Sequence, residues 1–307
     1  MRTIQGALGL ASRAAMVMTL MVAATSSAAA QNTEGPWAGP AGAAPGKYAD
    51  VNGIKLYYEI HGAGRPLVLL HGGLGAGSMF GENIPALAKN HRVILVDLQG
   101  HGRTADIDRP MTLEAMADDI AALLEKLQIP QADVMGYSLG GGVALEVGVR
   151  HPEMVRKLVL VSTALRSDGG YYPELRAMQK GVSGAVADQM KGTPMYQLYM
   201  AVAPRKQDFP RLLDKVGAFM KKDYDVSAQF AALKMPVLFM IGDADMIPPS
   251  HAVEAFALRD GGKRDGGWDG AGRSKLAQLA IVPGATHYDI FANPMTAALA
   301  GRFLETP

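Results

Sequence analysis

Apolar runs and helical periodicity alternate along most of this chain. Leu67-Val68-Leu69-Leu70 has no polar position in it, as expected for a strand buried on both faces of a parallel sheet. Arg92 to Val96, the run from about Ala132 to Gly136, Lys157 to Ser162, Pro236 to Ile241 and Leu276 to Val282 read the same way. Between them lie helical patterns. One follows the first run to about Lys89. The clearest opens at Thr112, where Leu113, Met116, Ala117, Ile120, Leu124 and Leu127 repeat on one face at 3.6-residue spacing. Thr112 is placed to cap that helix, with Glu114 favourable in its first turn. Others run from Leu139 to Arg150, from about Ser250 to Leu258, and from Pro294 with a stripe of Met295, Leu299 and Phe303. Upstream, Lys47 to Val51 and Ile54 to Ile60 flank Asn52-Gly53, which predicts a hairpin. Strand–helix alternation of this kind predicts right-handed crossovers and a mostly parallel sheet with helices on both faces.

Two stretches break the rhythm. From Thr163 to about Leu233 no buried strand appears, and helical patches carry Tyr171, Tyr196, Tyr199, Met200 and Phe219. This predicts a helical cap leaving from the C-terminal end of a strand, the edge where open α/β sheets bind ligands. Tyr171, Tyr196 and Met200 either line a pocket or pack among cap helices. Arg259 to Lys275 holds six glycines and Trp268. It reads as a surface loop on the edge away from the chemistry. No internal repeat is visible.

Composition narrows the classes. The chain has 307 residues, with 30 Lys plus Arg against 29 Asp plus Glu, a net charge of +1. No basic stripe marks a nucleic-acid partner. With no cysteine there is no disulfide, thiolate metal site or cysteine nucleophile. Residues 1–30 read as an export signal: Arg2 and Arg13, an apolar segment from about Ala14 to Ala24, then Ala28-Ala29-Ala30. The apolar segment is too short to span a bilayer, so no stable membrane insertion is expected after cleavage. The mature chain is expected to begin near Gln31 in the periplasm or outside the cell, with 31–46 a flexible lead-in.

The chemistry centres on Gly136-Tyr137-Ser138-Leu139-Gly140, between a strand and a helix. That placement predicts a nucleophile elbow, a tight turn presenting the serine hydroxyl at the sheet edge. Glycines two residues either side remove the Cβ atoms that would clash. A serine hydroxyl is a weak nucleophile and needs a base. His287 follows the last strand at the same edge and is the candidate. His71 and His101 sit in glycine-rich loops and read as backbone organisers. His61 sits in the turn between two early strands. His91, His151 and His251 flank helices and read as surface or cap positions.

With His71-Gly72-Gly73 after a strand, Asp97 through Gly102, the elbow, Gly242 to Asp245 and Gly284 to His287 in this order, the chain resembles the α/β-hydrolase-fold serine hydrolases from about Tyr48 to Phe303. The resemblance implies residues 47–162 and 234–307 as an α/β-hydrolase core and 163–233 as the cap. It implies Asp245, fourth residue of the Gly-x-x-Asp turn, as the acid orienting His287, with Asp243 its rival. Some members carry the acid after the preceding strand, but here that place holds Ser162 and Thr163. The resemblance also implies an oxyanion hole from the N–H groups of Leu139 and Gly73, and no metal or organic cofactor. Esters of small molecules are the expected substrates, through an acyl-enzyme on Ser138. A lactone or macrolide-type cyclic ester is the alternative. A protein of another class, an inactive binding protein on the same fold, would be expected to lack one of the three residues.

Overall fold

The computed structural model describes residues 46–306. The signal expected at 1–30, and all but the last residue of the lead-in, lie outside them. Eight strands form one sheet in the order β1-β2-β4-β3-β5-β6-β7-β8. They are β1 (Lys47–Val51), β2 (Ile54–His61), β3 (Arg65–Leu70), β4 (His91–Asp97), β5 (Ala132–Tyr137), β6 (Val155–Val161), β7 (Val237–Ala244) and β8 (Ala277–Thr286). The β1–β2 hairpin turns on Asn52 and Gly53, both at positive φ (45° and 78°), and β2 pairs antiparallel to β4. All remaining pairings are parallel.

Strand side chains alternate between two cores. Val68, Leu70, Ile94, Val96, Val134, Leu158, Leu160 and Phe239 enter one. Leu67, Leu69, Val93, Leu95, Met135, Val159, Val161 and Met240 enter the other. Both sets are buried, so the runs had to be apolar at every position rather than at alternate ones. Helices α1 (Asn83–Ala88), α2 (Leu113–Lys126) and α3 (Leu139–Arg150) connect the central strands. Met116, Ile120 and Leu124 of α2 pack with Val143 and Val147 of α3 on the first face. Thr112 caps α2, accepting from the Ala115 N–H at 3.1 Å.

Between β6 and β7 lie α4 (Pro173–Lys180), α5 (Pro194–Val202), α6 (Phe209–Lys221) and α7 (Ser227–Ala232). One isolated bridge, Arg166 to Asp225, closes the base of this helical segment. Its far side is fastened to the loop after β4 through Asp106. Arg211 Nε and Lys215 Nζ of α6 reach the Asp106 carboxylate at 2.8 and 2.7 Å, and Gln99 Nε2 donates at 2.8 Å. Lys215 also donates to the Ile107 and Arg109 carbonyls, at 2.6 and 2.7 Å.

Three expectations change. The helix expected after His71 is broken at Gly81 (φ 49°) into a short 3-10 turn (Gly77–Phe80) and α1. The last strand runs four residues past Val282, through Pro283 and Gly284, with an irregular register against β7. After α8 (Pro249–Leu258) and the glycine-rich loop, helix α9 (Pro294–Glu305) buries Thr296, Ala297, Ala300, Phe303 and Leu304, while Met295 is exposed. Helix α9 packs against α1.

Candidate active site

Strands β5, β6, β7 and β8 are neighbours, and their C-terminal ends deliver the candidate residues to one edge. Ser138 follows β5 at φ 53°, ψ −115°, a strained conformation for a residue with a side chain. The turn around it is tight. A Cβ on Gly136 would lie 2.0 Å from the Gly140 carbonyl oxygen, and one on Gly140 would lie 2.4 Å from that of Leu70. The Ser138 N–H donates to the Val161 carbonyl at 2.9 Å, and Gly142 N–H starts the α3 ladder on the Ser138 carbonyl at 3.1 Å.

Ser138 Oγ lies 3.1 Å from Nε2 of His287, and His287 Nδ1 lies 2.9 Å from Oδ1 of Asp245. Asp245 and His287 are 4% and 6% exposed. A carboxylate only accepts, so Nδ1 carries the hydrogen and Nε2 is left to accept from the serine. Burial alone would push the Asp245 carboxyl up. The hydrogen bond and charge of His287, the Ser162 hydroxyl and the Gly242 N–H outweigh it and hold the group below the usual carboxylate range. Asp243, the rival acid, accepts from the Gly284 N–H at 2.8 Å and braces the β7–β8 ends instead.

Two neighbours of this chain of residues escaped the sequence reading. Ser162 Oγ donates to Oδ2 of Asp245. Tyr137 donates its hydroxyl to the His287 carbonyl at 2.6 Å, and the two rings sit 5.2 Å apart. A strand-end serine and a buried aromatic both have ordinary uses. The position of Tyr137, just before the elbow serine, was the one available hint.

Leu139 is the first residue of α3, and N–H groups of a first helical turn have no acceptor within their own helix. Gly73 faces it: a Cβ there would meet the Leu139 side chain at 3.8 Å. Both residues are partly exposed beside Ser138.

Each of the other histidines has a partner on at least one ring nitrogen. His71 donates from Nδ1 to the Gly72 carbonyl (2.8 Å), and its Nε2 accepts from the Leu98 N–H (3.0 Å). Burial lowers its pKa to about 4 against that backbone bond, so it stays neutral. His101 is lowered to about 3 by burial and by its neighbour His71. His251 corrects the reading of a surface or cap position. It is 2% exposed, and its Nε2 accepts from the Leu165 N–H at 2.9 Å, fixing the start of the helical segment. His91 is likewise buried, 3.2 Å from the Leu87 carbonyl, and His61 belongs to β2, paired with Glu59. His151 remains partly exposed beside Asp118.

Of the residues read as pocket or packing, Tyr171 shares a 3.1 Å hydroxyl contact with Tyr224. Tyr196 and Met200 line a cleft of about 330 Å³ with Phe209 and Lys206. Among the described residues, no group of three or more His, Asp or Glu side chains is placed to hold a metal ion.

A model of the alpha/beta hydrolase fold matches residues 65–194. The chain is 32% identical over 229 residues to a RutD protein of Azorhizobium caulinodans, a relative whose name proposes that it is a carbamate hydrolase. That match spans 68% of this chain and 84% of the relative. It is 36% identical over 141 residues to the 2-hydroxymuconate semialdehyde hydrolase of Pseudomonas sp. CF600, spanning 42% of this chain and 50% of that one. Among solved structures, a thermophilic esterase from Thermogutta terrifontis superposes with a TM-score of 0.65 at 24% identity, over 85% of this chain and 98% of that one. The chain belongs to the α/β-hydrolase family.

Proposed function

We propose that this protein is a serine hydrolase of small-molecule carboxylic esters, working through an acyl-enzyme on Ser138. The observation that carries the reading is the unbroken path from the Ser138 hydroxyl through His287 to a buried, ionised Asp245. His287 Nε2 takes the hydroxyl proton as Oγ attacks the carbonyl carbon. The Leu139 and Gly73 N–H groups receive the oxyanion, and Asp245 steadies the imidazolium. The tetrahedral intermediate collapses, and the leaving alcohol departs with the proton from Nε2. Water, deprotonated by the same nitrogen, then attacks the acyl carbonyl and frees Ser138.

A second reading is carbamate hydrolysis. It is favoured by the 32% identity to RutD over most of that relative's length. The same residues would serve it, with a carbamoyl group on Ser138. We also propose that residues 1–30 direct export and are removed near Gln31. N-terminal sequencing of mature protein starting at Met1 would overturn that.

The test of function is a fluorophosphonate probe followed by a chromogenic panel of esters, lactones and carbamates. Wild type is expected to label at Ser138 and to turn over short esters, with Ser138→Ala losing about 10⁶ in kcat. Wild type that resists the probe as fully as Ser138→Ala would mark an inactive binding protein. Faster carbamate than ester turnover would select the second reading.

A further inference from the structure

The Asp245 carboxylate has four acceptor positions, and four donors fill them. His287 Nδ1 (2.9 Å) and the Ile247 N–H (3.2 Å) meet Oδ1. The Ser162 hydroxyl and the Gly242 N–H (3.3 Å) meet Oδ2. Two of these are backbone groups of the β7 turn, and one is the base. Ser162 supplies the fourth, from a different strand.

Ser162 is held for this. It is 2% exposed, and its φ of 51° lies in the left-handed region, where a residue with a Cβ is strained. Its N–H donates to the Met240 carbonyl at 2.7 Å. Ser138, at φ 53°, repeats this arrangement one strand over, donating to Val161 at 2.9 Å. Adjacent strands β5 and β6 therefore end in the same strained step, each donating its N–H to a carbonyl of the next strand. At Ser138 the step presents the hydroxyl that His287 faces. At Ser162 it turns a hydroxyl onto Asp245. Glycine would fit the backbone of Ser162 without strain, yet would bring no hydroxyl.

We propose that Ser162 is a positioning residue for the reaction: its hydroxyl locks the rotation of the Asp245 carboxylate, so that Oδ1 stays aligned with His287 Nδ1 as the imidazolium forms. Without that donor, Oδ2 is left with the longer Gly242 bond alone, and the carboxylate can turn away from the ring. The proposal rests on the serine-hydrolase reading of Ser138, His287 and Asp245.

Stability and rate should separate. Ser162→Gly removes both hydroxyl and strain. It should melt no lower than wild type, while kcat on p-nitrophenyl acetate falls about tenfold, the equivalent of one hydrogen bond to a charged group. KM should stay within about twofold, because Ser162 does not touch substrate. Ser162→Ala keeps the strain, loses the hydroxyl and should lose the same kcat. Ser162→Thr keeps the hydroxyl and worsens the strain. It should melt lower than wild type yet hold kcat within about threefold. The labelling rate of Ser138 by a fluorophosphonate should follow kcat across the series. Glycine and alanine variants that react as fast as wild type would overturn the positioning role alone. A wild type that neither labels nor turns over ester would overturn it together with the hydrolase reading.

Discussion

Two buried aspartates organise two regions of this molecule, and they are neutralised in opposite ways. Asp106 fastens the helical segment to the sheet. It is 6% exposed and faces two permanent cations, Arg211 and Lys215. Burial pushes its carboxyl up, but Gln99, Lys215 and Arg211 together hold it below the usual range. Asp245 is as deeply buried, yet none of its four donors is a Lys or Arg. Only His287 among them can become a cation, and on the proposed mechanism it does so during reaction. A carboxylate balanced at all times is a clasp. A carboxylate balanced only when its partner takes a proton stabilises the charged intermediate over the resting state, which is what catalysis requires.

The contrast breaks hardest at Asp245. Asp245→Asn should leave the fold intact and lower kcat about 10⁴-fold, because an amide no longer fixes the imidazole tautomer. Asp243→Asn should stay within about threefold. Stopped assays on p-nitrophenyl acetate with melting curves alongside check both. The reverse ranking would move the acid.

Acid titration comes next. Hydrolysis should slow in acid, since a general base works only when neutral. The fold responds elsewhere. Asp106 and Asp245 have lowered folded pKa values, so their contribution is present above the unfolded carboxylate value and is lost as pH falls through the folded ones. Melting temperature should therefore hold until below about pH 4. Rate and melting temperature falling together would erase the distinction between clasp and catalyst.

Asp106→Asn should act in the other direction from Asp245→Asn. Loss of the anion leaves Lys215 only the Ile107 and Arg109 carbonyls, and Arg211 only the Ile107 carbonyl and the exposed Asp108. About 2 kcal/mol of stability should go, less than for a fully buried pair because the Arg211 side chain is 46% exposed. KM should rise several-fold as the helical segment loosens, with kcat changed least. Urea unfolding and steady-state kinetics separate the two. The smallest effect belongs to Trp268→Ala in the glycine-rich loop. That side chain is fully exposed on the loop leading into β8, and stability should shift by no more than about 0.5 kcal/mol.

The parallel sheet was legible because strands such as Leu67–Leu70 and Val159–Val161 feed both cores and can carry no polar residue. The spacing of elbow, Gly-x-x-Asp turn and final histidine was legible because each follows a strand end. Ser162 was visible only as a place where a carboxylate was missing. Its role depends on a positive φ, which a serine does not advertise as a glycine would. His251 was misread because α8 looked peripheral from its flanks, whereas Ala252 and Ala255 press it into the core. Of the expected α9 stripe, Phe303 is buried and Leu299 packs against the core, whereas Met295 is exposed, and the buried face also takes in Thr296, Ala297 and Ala300, whose small side chains the stripe did not weigh.

The hydroxyl of Ser138 and the imidazole that faces it are 149 positions apart along the polypeptide. During synthesis the serine, its elbow and the whole helical segment leave the ribosome before the histidine has been added. On the proposed mechanism, the Ser138 hydroxyl gains its base only when the residues that follow β8 reach the end of β5. Strand β8 lies at the margin of the sheet, paired with β7 alone, so the candidate base hangs from an edge strand with one neighbour.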